Sequence, residues 1–348
     1  MPDARANPST GKDRSTLLGV IAAVSAYLSW GFAVVYFKAV GHVPAVDLIA
    51  HRVLWSIPFL FGLMLLTGGW DRFRALLADR RAMRFIPIST ILLGANWFLF
   101  VWVVVTGQVL QASLAYFITP LMMVVLGVLL LGERLRRVQG LGLALASAGV
   151  LLLIVAGGVI PWAALTIAVT WSLYSLVRKV QHTPAIEGLG LEVALLVPAA
   201  AAWLLWRGFL PADSPNTMTV DVLLLSMAGV VTAGPLVLFG AALRRISLGT
   251  IGFLQYIAPT FQLALAVLVY GEPFNLWSGV AFTLIWTALI FYTIDGLRKP
   301  APQRGFEVVA SREPGEVATD ADFAACAPPT HDSAPAPDAP THATPARA

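Results

Sequence analysis

The chain has 348 residues, of which 58% are hydrophobic and only 12% charged, about half the charged share that a soluble chain of this length carries. That balance excludes a soluble globular domain. The net charge of +4 does not point to nucleic acid, because the bases gather at the ends of apolar runs. Cys326, the sole cysteine, lies in the polar C-terminal stretch, so a disulfide framework and a cysteine metal site are excluded as well, and neither a metal nor a cofactor is expected.

In chain order, residues 1–14 form a polar N-terminus with Arg5, Lys12 and Arg14. No cleavable signal peptide is expected, since the first apolar segment is longer than an h-region and a second follows at once. Apolar segments of roughly twenty residues, the length at which a helix crosses the hydrocarbon core, then fall near 17–38, 47–67, 85–106, 111–131, 138–156, 160–178, 188–207, 221–243, 249–270 and 275–295. From about Pro300 the chain turns to Pro, Ala, Asp and Thr without apolar periodicity. Such a composition buries too little surface to order itself, so residues 299–348 are expected to be a disordered cytoplasmic tail. The predicted fold is an all-α integral membrane protein of ten transmembrane helices.

Orientation follows from the Lys and Arg between segments. With the N-terminus inside, seventeen bases fall in inside links, among them Arg72, Arg84, Arg136, Arg178, Lys179 and Arg245, and only Lys38 and Arg207 fall outside. Both termini are therefore predicted to face the cytoplasm. The links at 107–110 and 157–159 carry no charge, as outside hairpins should.

The fourth and ninth segments also resemble each other. Pro120, Gly132 and Glu133 correspond to Pro259, Gly271 and Glu272 at an offset of 139; Pro58 corresponds to Pro198 at 140, and Trp30 and Lys38 to Trp171 and Lys179 at 141. Single-residue drift of this kind is what small loop deletions produce. Five segments per copy is an odd number, so the second copy enters from the opposite side. The halves, 15–156 and 157–298, are thus predicted to be inverted-topology repeats, an arrangement typical of secondary transporters.

Charges inside spans cost roughly 2.5–3.5 kcal/mol each at mid-bilayer, and few occur. Arg52, beside His51, lies in the second segment and Glu192 in the seventh, at equivalent positions of opposite charge. Each sits some ~7 Å inside its helix start, Arg52 toward the outer mouth and Glu192 toward the inner one. A direct salt bridge between them is not expected. Each is a candidate for an entrance-lining residue; the alternative is a side chain snorkelling to the interface. Trp30, Asn96, Trp171, Gln262 and Trp286 fall near mid-span, as packing residues or as walls of an aromatic pocket, and Asn96 needs a hydrogen-bond partner from another helix or a ligand. Tyr116, Gln255 and Tyr256 precede the repeated prolines. Pro120 and Pro259 each free a carbonyl one turn upstream, for a hinge or a simple kink. Glu133 and Glu272 follow glycines at span ends and are expected to complement the dipole of the next helix. The spacing of Gly140 and Ala144 predicts close helix contact. No P-loop, HExxH or GxSxG motif occurs.

The stretches AYLSWGFAVVYFK (26–38), HRVLWS (51–56), GANWFLFVWVV (94–104), QASLAYFITPL (111–121), LGERLRR (131–137), LGTIGFLQYIAPT (248–260) and YGE (270–272) resemble the EamA branch of the drug/metabolite transporter superfamily, and within it the RarD proteins. The resemblance covers about residues 15–298. It implies two EamA-type repeats, ten helices around a central cavity, and transport of small organic solutes across the cytoplasmic membrane. It also implies interest in Trp30, His51, Arg52, Asn96, Tyr116 and Gln255. The single-domain multidrug pumps of that superfamily carry a key glutamate in their first helix; here the first segment has no acid, so their proton-exchange mechanism does not carry over.

The expected function is a multi-pass secondary transporter of the inner membrane, as monomer or homodimer, moving a small organic solute by alternating access. A proton is a candidate coupling ion through Glu192 or His51. The competing readings are a non-transporting sensor or assembly protein and a membrane-embedded enzyme. The enzyme would need clustered His, Asp or Glu residues.

Overall fold

The computed structural model describes residues 8–106, 109–157, 161–209, 218–269 and 276–298, and among these every regular element is α-helical. The helices are α1 (Pro8–Ala39), α2 (Ala45–Leu66), α3 (Trp70–Ala78), α4 (Arg80–Val105), α5 (Val109–Leu131), α6 (Arg137–Gly157), α7 (Trp162–Gln181), α8 (Ala185–Arg207), α9 (Met218–Leu243), α10 (Leu248–Gln255), α11 (Ile257–Leu268) and α12 (Leu276–Arg298). The tail with Cys326, the ninth segment's exit with Gly271 and Glu272, and parts of the two uncharged links lie outside the described residues.

Each of the ten apolar segments coincides with a helix, except that the ninth is divided between α10 and α11 at Tyr256. The interruption sits one turn before Pro259. Proline has no N–H for the carbonyl of Gln255, and its ring crowds that carbonyl, so the ladder fails there. Pro120, at the equivalent place, leaves α5 unbroken. An additional helix, α3, occupies the link after α2. It is only nine residues long and buries Phe73 and Leu76 while its charged residues face out.

Among the described residues, seven helices are long and apolar enough to cross a membrane. Polarity is turned inside out relative to a soluble bundle: Leu66, Leu205 and Leu268 are 87%, 88% and 82% exposed, whereas Glu192 is fully buried and Arg178 is 3% exposed. Outward leucines need a hydrocarbon solvent, and interior polar groups must then satisfy one another.

Helices α6 and α12, α2 and α8, and α5 and α10 pack as pairs. Around these, α1 lies against α9 and α11, α7 against α4 and α5, α2 against α9, and α4 against α8. Small residues permit two of these approaches. On α6 a Cβ at Gly149 would lie 3.0 Å from the Ala281 carbonyl oxygen, and one at Gly142 would lie 3.2 Å from that of Ala288. The contact ridge is therefore Gly142, Ala146 and Gly149. Gly140 has nothing within 4 Å and Ala144 is exposed, contrary to their expected role. On α10, Gly252 admits the Pro120 carbonyl, which would stand 2.7 Å from an added Cβ.

α2 and α8 begin alike. Pro44 and Pro184 precede them in the same extended conformation (φ −54°, ψ 136° and φ −56°, ψ 142°), and each first turn carries one buried acid, Asp47 or Glu187. A carboxylate there meets the positive end of the helix dipole. Asp47 accepts from Trp203 Nε1 at 2.7 Å and Glu187 from Arg72 Nε at 2.8 Å.

Candidate functional site

A cavity of about 310 Å³ lies among α1, α2, α4, α5, α7, α9, α10 and α11. Its α1 wall runs from Tyr27 through Trp30 to Phe37, ~15 Å along the helix axis. Trp30 and Trp171 meet edge to face with ring centroids 5.7 Å apart, and Phe239 packs on both at 5.7 and 5.3 Å. Phe37, two residues before the end of α1, and Arg52, seven residues beyond the start of α2, place the other side of the cavity toward one face of the bundle.

Arg52 is held from two directions. Its Nε donates to Thr232 Oγ1 at 2.8 Å, and its guanidinium carbon lies 4.9 Å from the Trp97 ring and 5.6 Å from that of Phe37. Asn96 Nδ2 donates to the Ile167 carbonyl at 2.9 Å and to Thr170 Oγ1 at 3.0 Å, so its partner is another helix, α7. Gln262 Nε2 reaches the Trp30 carbonyl at 3.4 Å. Two fully buried polar atoms of lining residues have no partner: Trp171 Nε1, a donor, and Gln255 Oε1, an acceptor.

Toward the opposite face, α4, α7 and α8 enclose a second polar group. Glu192 accepts from Ser89 Oγ at 2.6 Å and from Tyr174 OH at 3.1 Å, and Arg178 Nη1 stands 3.5 Å from the same carboxylate. Arg178 also donates to Thr183 Oγ1 at 2.8 Å and to the Ala185 carbonyl at 3.3 Å. Tyr174 joins this cluster to the cavity, its ring centroid lying 5.4 Å from that of Trp171. Among the described residues no group of three or more His, Cys, Asp or Glu could hold a metal ion.

The first half, residues 17–155, matches the EamA-like transporter family. Over 290 residues the chain is 40% identical to Protein RarD of Escherichia coli, covering 82% of this chain and 96% of that one. The chain belongs to the EamA-like transporter family. It is likewise 41% identical to an uncharacterized transporter of Vibrio cholerae (80% of this chain, 93% of that one) and 30% identical to the chloramphenicol-sensitive protein RarD of Pseudomonas aeruginosa (80% and 95%). A solved structure, described only as the crystal structure of a protein, superposes with a TM-score of 0.63 at 22% identity, over 82% of this chain and 98% of that one, and so speaks for the fold alone. The chain is a multi-pass membrane transporter with RarD-like relatives.

Of the residues singled out in this EamA chain, Trp30, Arg52, Asn96, Tyr116, Trp171, Gln255 and Gln262 come together around the cavity. Four do not line it. Trp286 is partly exposed on α12 and donates its Nε1 to Thr260 Oγ1 at 3.0 Å. His51 is buried, with Nε2 2.8 Å from the Phe209 carbonyl and Nδ1 unpartnered. Glu192 is sealed in the cluster just described. Tyr256 turns away to donate its hydroxyl to the Phe117 carbonyl at 3.1 Å. Arg52 and Glu192 do not pair with each other: one meets Thr232, the other Arg178. Pro120 presents its carbonyl to Gly252 within an intact α5, and Pro259 lies three residues beyond the α10–α11 interruption. Glu133 accepts from the backbone N–H groups of Leu248 and Gly249 at 2.6 and 2.8 Å, so it complements the start of α10 and not the helix that follows it in sequence.

Tyr27, Phe37, Trp97, Phe100, Thr119 and Thr232 also line the cavity and are absent from the residues chosen by sequence. Helical spacing carried a signal for three of them: Tyr27 stands three residues before Trp30, Phe100 four after Asn96, and Thr119 three after Tyr116. Thr232 has no such signal.

Proposed function

We propose that this EamA-family chain is a secondary transporter that moves a small organic solute across the cytoplasmic membrane by alternating access. Ten spans in two inverted halves, 15–156 and 157–298, surround the cavity, and both termini are cytoplasmic. The observation that carries the reading is the asymmetry between the two mouths. The cavity reaches Arg52 near one face, while the equivalent position at the other, Glu192, is locked against Arg178. A molecule open toward one side and shut toward the other is half of an alternating-access cycle, and by the charge tally the shut side is the cytoplasmic one.

The inverted repeat draws support from packing. Exchanging α1 with α7, α2 with α8, α4 with α9, α5 with α10–α11 and α6 with α12 turns every one of the main helix contacts into another of them. Equivalent positions also meet at the centre: Trp30 packs on Trp171, and Tyr256 bonds to the carbonyl of Phe117, its counterpart at the offset of 139. Phe37 and Arg178, 141 apart, are the respective partners of Arg52 and Glu192.

Flux into proteoliposomes over a panel of amino acids, amphenicols and aromatic metabolites, with and without a pH gradient, tests the reading. The amphenicol arm is motivated by the name of the Pseudomonas aeruginosa relative. Saturable flux of one compound is expected, and its response to the gradient tests the proton as coupling ion. Binding without flux for every compound would favour a sensor, which would also need residues 301–348 for signalling; a transporter tolerates their deletion.

A further inference from the structure

We propose that the cavity takes a small aromatic monoanion, preferentially a carboxylate, with its charged end on Arg52 and its ring toward Trp30 and Trp171. The inference deepens the transport function proposed above and rests on it. Among the residues that line the cavity, Arg52 alone is charged at neutral pH, and no Asp or Glu lines it. Thr232 occupies Nε, and the faces of Trp97 and Phe37 hold the guanidinium plane. Among the described residues, Nη1 and Nη2 have no hydrogen-bond acceptor, and Arg52 has no carboxylate within 4 Å.

A cation partly withdrawn from water without a counter-ion is costly, and a carboxylate supplies both the missing charge and two acceptors for the end of the guanidinium fork. Stacking and the Thr232 bond fix that fork in advance, so little ordering is left for the ligand to impose. One cation suits one negative charge; a dianion such as a phosphate ester would remain half neutralised. An organic cation could use the aromatic walls, but it would meet Arg52 with no acid nearby to offset the repulsion.

The volume of about 310 Å³ lies at the small end of ligand pockets, which suits a single ring with a short side chain.

The test is competition against radiolabelled 3-phenylpropionate bound to the purified full-length chain in nanodiscs. The competitors are unlabelled 3-phenylpropionate, its neutral isostere 3-phenylpropanamide and the cationic 3-phenylpropylamine. The carboxylate should compete at least about tenfold better than the amide, and the amine should be weakest. Arg52→Gln should abolish the preference, and Arg52→Lys should keep a reduced one. Equal or better competition by the amide or the amine, or no saturable binding of 3-phenylpropionate, would overturn the proposal, and wild-type protein alone decides this if Arg52→Gln does not fold. Flux of the same three compounds separates the two levels. Flux without carboxylate preference sinks the anion site and leaves the transporter, whereas carboxylate-selective binding without flux does the reverse.

Discussion

Replacing Glu192 with Gln removes the negative charge from a cluster with no access to water. Arg178 is 3% exposed and is left with neutral acceptors alone, Thr183, the Ala185 carbonyl and the new amide oxygen. Removing one partner of a buried ion pair costs about 3–5 kcal/mol, because the other charge stays buried. In the proposed alternating-access cycle this face opens and water reaches both side chains, so the loss falls on the sealed state alone. At the lower bound the ratio of open to sealed molecules rises roughly a hundredfold. Ser175 reports this. It is buried on α7, on the face between Trp171 and Arg178, one turn from each. With Cys326 replaced by Ser and Ser175 by Cys, labelling with a membrane-impermeant maleimide in inside-out vesicles should be slow in the parent. Adding Glu192→Gln should accelerate it by tens of fold or more. A rate within twofold of the parent, from monodisperse protein, would refute both the sealing role of Glu192 and the assignment of its face to the cytoplasm.

The ridge of α6 separates two glycines that look alike in sequence. Gly149→Leu should cost about 1–3 kcal/mol by forcing α6 from α12, while Gly140→Leu should leave the melting temperature in detergent unchanged. Glu133→Gln should lower the same melting temperature by an amount equivalent to about 1–2 kcal/mol, since the two backbone donors of α10 lose a charged acceptor; an unchanged melt would remove Glu133 from the helix start. Tyr256→Phe, which deletes the hydroxyl on the Phe117 carbonyl, should cost about 1 kcal/mol and leave flux intact. A larger loss of flux than of stability would instead place Tyr256 in the transport path.

The apolar segments were legible because a bilayer demands about twenty residues of one character, and composition alone reports that. α3 escaped because nine residues with two buried apolar positions make no such run. Spacing at Gly140 and Ala144 carried the period of a contact ridge without its phase, which is set by where α12 lies and turned out to pass through Gly142 and Gly149. Arg178 was read only as an orientation signal, one base among seventeen. Its burial against Glu192 joins side chains of two different helices, α7 and α8, a tertiary contact with no local trace. Seven of the eighteen cavity residues could be named because amides, charges and tryptophans are rare at mid-span, whereas Tyr27, Phe37 and Phe100 stand among many apolar neighbours and Thr232 resembles any other small residue of α9.

Tyr174 has a consequence of a thermodynamic kind. Its ring rests on the Trp171 that floors the cavity, and its hydroxyl bonds to Glu192. One rigid side chain therefore registers both the occupant of the cavity and the state of the seal. Binding free energies are reciprocal: if an occupant pressing on Trp171 shifts the seal by some factor, breaking the seal must change the affinity for that occupant by the same factor. Leak and affinity are then a single quantity in this molecule, and a substitution at position 174 that decouples them changes both at once.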